Sequence, residues 1–255
     1  MLFVFFFLKR KKERMIITQV ENDLPKIKPV KEIMNIYIDG IDNNLPNRNG
    51  FIYALIGGPG SGKSSLLLSL FRDRNYYKKK FNNIFLITPE NSFTSVLNHP
   101  FGNHPNVYHE LSHDVLESIY ENLMQIKSDN IKDEYEPETS CLIIDDYASD
   151  LKSSELITIL KRFCTKSRHL SCAVIFTLQA YNMFPLVLRK MLTNITMFKP
   201  KNKIELESIR KELINMNEQN TNELMDYVFD EEYNHLDIDT TTNQLRKNYK
   251  LLKID

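Results

Sequence analysis

Residues 57–64 read GGPGSGKS, that is Gly57, Gly58, Pro59, Gly60, Ser61, Gly62, Lys63 and Ser64, between an apolar run, FIYALI (51–56), and a run of helical character, SSLLLSLF (64–71). The pattern GxxxxGK[ST] in a strand–turn–helix setting is a phosphate cradle, because the turn's backbone N–H groups and the free amides of the helix N-terminus point at an anion. In that setting Lys63 reaches the β- and γ-phosphates and the Ser64 hydroxyl ligates magnesium, with Gly57 through Ser65 forming the nucleotide-binding stretch. Four of the seven glycines lie in this segment, so backbone freedom is concentrated where phosphates approach the chain.

Outward from the loop, short apolar runs alternate with longer amphipathic ones. Strands are expected at 51–56, 83–88, 107–111, 141–145, 172–178 and 194–199, with helices at 62–72, 113–127, 153–166, 185–192 and 203–215. Alternation of this kind predicts an α/β fold, a mostly parallel sheet with helices on both faces. The last part offers one helix and a small C-terminal hairpin, HLDID (235–239) and QLRKNYK (244–250), around TTTN. The organisation expected is a leader and extended lead-in over 1–49, a P-loop NTPase core over 50–218, and an appended helix and hairpin over 219–255.

The run CLIIDDYA (141–148) predicts a buried strand that delivers Asp145 and Asp146 to its C-terminal edge. Asp145 is the candidate magnesium ligand beside Ser64, and Asp146 stands where many such ATPases carry the glutamate that polarises the attacking water. Two strands fit between the loop and this aspartate pair, a spacing typical of the additional-strand ATPases and unlike compact nucleotide kinases. The strand that follows, CAVIFTLQ, ends in Gln179, a candidate γ-phosphate sensor or water-orienting group. A GTPase is disfavoured: Asn202-Lys203-Ile204-Glu205 ends in Glu where a guanine-reading NKxD has Asp, and Asp145 continues Asp-Tyr-Ala rather than DxxG. NKIE is instead expected to be the polar start of a helix.

Composition excludes other classes. The chain has 255 residues, and its 33 Lys+Arg balance 33 Asp+Glu, which excludes a globally basic nucleic-acid coat or an acidic mimic and makes polyanion binding a local matter. Cys141, Cys164 and Cys172 form no CxxC pair, so neither a disulfide framework nor a zinc knuckle is indicated, and a reducing compartment fits. The opening MLFVFFFLKRKKER (1–14) has a seven-residue apolar run, far short of the roughly 20 residues that span a bilayer. Its charges follow the apolar run, the reverse of a signal peptide, so no stable membrane span is expected. The segment 129–138, DNIKDEYEPE, reads as an acidic surface loop.

The order of motifs resembles the genome-packaging ATPases of large eukaryotic DNA viruses and virophages, the poxvirus-type branch of the FtsK/HerA group. The resemblance spans roughly 51–215 and rests on GGPGSGKSSLLLSL, LIIDDYAS and SRHLSCAVIFTLQAYNMFPLVLRKMLTNITMFKPKN. The last stretch supplies the family's Arg-His pair (Arg168, His169), strand-end glutamine (Gln179) with a following aromatic (Tyr181), and Pro-x-x-x-R (Pro185, Arg189) leading to Asn194. The resemblance implies an ATP- and magnesium-dependent homo-oligomeric ring that pumps double-stranded DNA, without regard to sequence, into a preformed capsid. A capsid or portal-vertex protein would be its partner, and its place the host cytoplasm, at viral assembly sites or transiently at the capsid vertex. Such a ring needs a cation across the subunit boundary; Arg168 is the first candidate and Arg189 the second, while each is also open to a salt-bridging role. Lys78–Lys80, Lys199, Lys201 and Lys203 are candidate backbone contacts to DNA. The chain departs from the pattern at Asp146, where the family has Glu, and no nuclease domain is visible.

Alternatives stay open. Another P-loop assembly ATPase, such as one extruding single-stranded DNA, usually carries a membrane span. A small-molecule kinase needs an acceptor pocket and an arginine-rich lid. A nucleotide-gated scaffold without significant turnover is kept in play by Asp146.

Overall fold

The computed structural model describes residues 37–132, 138–147, 150–151 and 153–254. The leader over 1–14 and part of the acidic segment 129–138 lie outside the described residues. In chain order the elements are β1 (Ile52–Ile56), α1 (Lys63–Arg72), β2 (Asn83–Ile87), α2 (Glu90–Thr94), β3 (Val107–Tyr108), α3 (His113–Lys132), β4 (Ser140–Ile144), α4 (Ser154–Lys166), β5 (Cys172–Leu178), α5 (Leu186–Arg189), β6 (Asn194–Phe198), α6 (Lys203–Ile209), α7 (Glu218–Val228), β7 (His235–Asp239), β8 (Gln244–Lys247) and β9 (Lys250–Leu251).

One sheet carries them in the order β3-β2-β4-β5-β1-β6-β7-β8-β9. Pairing is parallel from β3 through β6 and antiparallel from β6 through β9. The expected α/β class therefore holds, but the strand inserted between β1 and β4 is β5, whereas β2 and β3, the two strands between loop and aspartates in the chain, lie beyond β4. Every residue of β1, β4 and β5 is buried, as continuous apolar runs require when both faces of a parallel sheet are covered.

Alternate residues of those strands feed two cores. On one face Ile52, Ala54, Ile56, Leu142, Ile144, Val174 and Phe176 pack with side chains of α3, α4 and α7. On the other, Phe51, Tyr53, Leu55, Cys141, Ile143, Ala173 and Ile175 pack with Leu67, Leu70 and Phe71 of α1 and with Tyr77 and Phe81. Helix α4 shows why: Leu156, Ile159, Leu160, Phe163 and Cys164 recur at helical spacing and are buried, and Ser153 caps its N-terminus by accepting from the Leu156 amide. The three cysteines are free and buried, and burial pushes the Cys164 and Cys172 thiols up to about 12.

The structure redraws several expected boundaries. The strand expected at 107–111 pairs only over Val107–Tyr108, because the chain then turns and His109 Nδ1 meets the Thr88 carbonyl at 3.0 Å. The helix expected at 185–192 is one turn, ended where Thr193 donates its amide to Ile52 O and the chain enters β6. The helix expected at 203–215 is α6 followed by a π-helical turn, Arg210–Ile214, closed by Asn215 in the left-handed region. The run 244–250 is two strands, since Asn248 and Tyr249 both have positive φ and reverse the chain. Residues 129–132 of the supposed acidic loop continue α3. The part of the extended lead-in just before β1 contributes to the core, with Ile38, Ile41 and Leu45 buried against the α1 face. The expected C-terminal hairpin forms from β7 and β8, and β7 joins it to β6 as a continuation of the same sheet.

Phe163 is fully buried and meets Tyr120 of α3 edge-on at 5.3 Å. Phe163→Ala is expected to destabilise the protein by about 3–5 kcal/mol, read as a lowered urea midpoint.

Candidate functional site

The parallel strands β1, β4 and β5 end at one edge of the sheet, and the loop, the aspartates and Gln179 all follow those ends. The loop leaves β1 with Gly57 donating its amide to Leu178 O at 3.0 Å, which ties it to the end of β5. Gly62 is the N-cap of α1 with φ 104° and ψ 0°, a conformation that L side chains rarely adopt. A Cβ there would also come within 3.2 Å of Tyr233 Cδ1. The Ser64 and Ser65 side chains are exposed at the start of α1.

Lys63 is 9% exposed, and its one hydrogen bond among the described residues runs from Nζ to Gly58 O at 3.3 Å. Burial holds its pKa below the ordinary lysine value, while the negative fields of Asp146 and Asp145 oppose that shift and Lys201 adds to it. A buried ammonium without an ion-pair partner among the described residues is a place prepared for an anion. The Ser61 hydroxyl oxygen is also buried without a partner there.

The aspartate pair is held from both neighbouring strands. Thr177 of β5 donates its hydroxyl to Asp145 Oδ1 at 2.6 Å, and Thr88, just past β2, donates to Asp145 Oδ2 at 3.1 Å. The same Thr177 oxygen accepts the Asp146 amide at 2.9 Å. Asp146 has φ 60°, so the chain turns sharply and the two carboxylates diverge. Gln179 Nε2 donates to Asp146 Oδ1 at 3.1 Å. Lys63, Ser64, Asp145, Asp146 and Gln179 are thus gathered at one edge. The Ser64 hydroxyl and Asp145 carboxylate are oxygen donors of the kind that suit a hard cation such as magnesium; no group of three acidic, His or Cys ligands occurs among the described residues.

The two candidate arginines lie elsewhere. Arg168 is exposed and precedes β5, so a seven-residue strand, about 20 Å long, separates it from the Gln179 edge. Arg189 donates to Glu212 Oε1 at 3.1 Å and to Asn182 at 3.3 Å, and its guanidinium lies 4.9 Å from the Tyr181 ring centre. Within the chain neither reaches the loop. The lysines divide similarly: Lys78–Lys80 precede β2, at the Arg168 edge, whereas Lys199, Lys201 and Lys203 follow β6, at the loop edge. NKIE starts α6 as expected, with Asn202 Oδ1 accepting the Glu205 amide at 2.8 Å.

Sequence reasoning missed Thr88 and Thr177. Each is the lone hydroxyl near the end of an apolar run, NIFLIT and CAVIFTL, a signal that pairing makes meaningful. It also missed a cleft of about 560 Å³ lined by Gly60–Leu66, Ser69, Phe198, Tyr233 and His235.

The inserted strand, the phosphate loop and the aspartate pair define a P-loop NTPase of the additional-strand type. The model of the poxvirus A32 protein family matches residues 41–242, and the chain belongs to that family. No curated protein matches the chain significantly. Among solved structures, B204, the DNA-packaging ATPase of Sulfolobus turreted icosahedral virus, is similar at 19% identity and TM-score 0.56, covering 81% of this chain and 98% of that one. The genome-packaging NTPase B204 of Sulfolobus turreted icosahedral virus 2, in complex with ATP-gammaS, gives 18% and 0.53, covering 78% and 97%. The cytoplasmic domain of the type VII secretion ATPase EccC of Thermomonospora curvata gives 13% and 0.54, covering 80% and 26%. At these identities the likeness is one of fold. No helix among the described residues is long and apolar enough to cross a membrane.

Two outcomes follow from this geometry. Thr177→Val removes both hydroxyl bonds at nearly constant volume and is expected to lower nucleotide turnover about 10–100-fold, with the circular dichroism spectrum unchanged. Lys63→Met removes a desolvated cation and is expected to raise the melting temperature of nucleotide-free protein while abolishing the further rise that ATP gives the native chain.

Proposed function

We propose that this chain is an ATP-hydrolysing motor that moves double-stranded DNA into a preformed viral capsid, working as a homo-oligomeric ring docked on a capsid or portal-vertex protein. The observation that carries the proposal is the gathering of Lys63, Asp145, Asp146 and Gln179 at one sheet edge, in a chain of the A32 family. Its site of action would be the host cytoplasm, at the capsid vertex. The nucleotide complex and the packaging roles of the B204 proteins support the same reading.

In this reading the loop amides and Lys63 bind the triphosphate, and Ser64 and Asp145 hold magnesium. Magnesium, when bound, neutralises developing phosphate charge. Asp146, held by the Thr177 hydroxyl at its amide and by Gln179 at its carboxylate, orients a water and accepts its proton. Gln179, bonded to that carboxylate, is placed to exchange it for the γ-phosphate and so to report nucleotide state. The position of Arg168 at the opposite sheet edge is compatible with service to a neighbouring subunit; Arg189, engaged by Glu212, would first have to leave that pair.

ATP turnover by the purified oligomer, with and without double-stranded DNA, tests the proposal. DNA should stimulate turnover, rising salt should weaken the stimulation, and Lys63→Ala should abolish it. Turnover indifferent to DNA in a confirmed oligomer points to another P-loop enzyme. Mixing Arg168→Ala with Lys63→Ala subunits should restore part of the activity if Arg168 acts in trans; no restoration at any ratio removes Arg168 from that role.

A further inference from the structure

The cleft beside the phosphate loop continues away from the aspartates. Asp145 stands two strands from β1 on one side, at the end of β4, while Phe198 ends β6 and His235 begins β7 on the other. We propose that Tyr233, Phe198 and His235 form the nucleoside subsite of this chain, with Tyr233 as the stacking platform for a purine base and His235 as a hydrogen-bonding partner of the nucleoside. The proposal rests on the reading that the loop holds a nucleotide's phosphates.

Tyr233 is an aromatic residue left 59% exposed, with φ 66°, and its ring edge lies against Gly62 at the helix N-terminus. A bulky residue held at positive φ stores strain that the surrounding structure must offset. No ring contact engages Tyr233 among the described residues, and this exposed aromatic lines the cleft that begins where the phosphates would end. Phe198, buried, closes the wall behind it, 5.6 Å from the His235 ring.

His235 is prepared more elaborately. Its side chain is 8% exposed, yet the residue lines the cleft. Nδ1 meets Asp237 Oδ1 at 2.9 Å, and that carboxylate is itself held by the Thr196 hydroxyl and by the Tyr249 amide at 2.6 Å. Tyr53 extends the chain to Thr196 and Tyr249, and burial pushes both phenols' pKa values up. The Tyr249 ring packs against the imidazole at 4.9 Å. With Nδ1 engaged by Asp237, Nε2 is left for a further hydrogen bond, and it has no partner among the described residues. A satisfied buried network that fixes an imidazole at the wall of a cleft is the arrangement expected of a recognition group.

The test uses the full chain and two probes, ATP-gammaS and inorganic tripolyphosphate, titrated by calorimetry. Tyr233→Ala should weaken ATP-gammaS about tenfold or more, the usual loss when an aromatic platform under a base is removed, with tripolyphosphate affinity unchanged. Tyr233→Phe should keep both affinities within about twofold, because the ring remains. His235→Gln should also weaken ATP-gammaS selectively; should that variant fail to fold, the exposed Tyr233 pair decides. An unchanged ratio of the two affinities in Tyr233→Ala overturns the nucleoside subsite alone. A native chain that binds neither probe overturns the phosphate-loop reading and this proposal with it.

Discussion

Strand β5 is hydrogen-bonded in parallel register to β1 on one side and β4 on the other, and the site depends on that double pairing. Ile144, the last residue of β4, lies opposite Phe176 and Ile56, the last of β1, opposite Leu178, so the two outer strands end one residue to either side of the Thr177 hydroxyl. From there Thr177 holds the Asp145 carboxylate and the Asp146 amide at once. Gln179 leaves the same strand two residues later and meets Asp146. A slip of one residue would turn Thr177 to the opposite face and undo all three contacts. Apart from Thr177 the strand is apolar, and its alternate residues fill both cores.

The loop illustrates the opposite arrangement, in which local structure is held at a cost. Lys63 is desolvated beside one carbonyl, and Gly62 supplies a backbone state that other residues resist. Both features weaken the empty protein and become favourable when an anion is present. The same trade recurs at Tyr233, with its positive φ. Elsewhere strong polar contacts are spent on rigidity: Glu205 accepts the Tyr181 amide at 2.8 Å, and Tyr181 with Arg189 holds Glu212. The segment leaving Gln179 is thereby fastened to α6 and to the π-helical turn that follows.

The sequence by itself determined the phosphate loop, the aspartate pair and the family, because each is written in residues adjacent along the chain. A loop of glycines, a lysine and a serine acts through its own backbone, and a continuous apolar run can be little other than a buried strand or helix. The tertiary structure alone decided what the isolated side chains do. Thr88 and Thr177 became clamps because β2 and β5 flank β4. Arg189 acquired Glu212, far along the chain, as an ion-pair partner, and Arg168 was carried to the opposite sheet edge. His235 and Tyr233 came to stand beside Gly62 only because β7 runs antiparallel to β6 and so begins where β6 ends. Those contacts join residues tens to well over a hundred positions apart, and strand order, which no local pattern encodes, settles them.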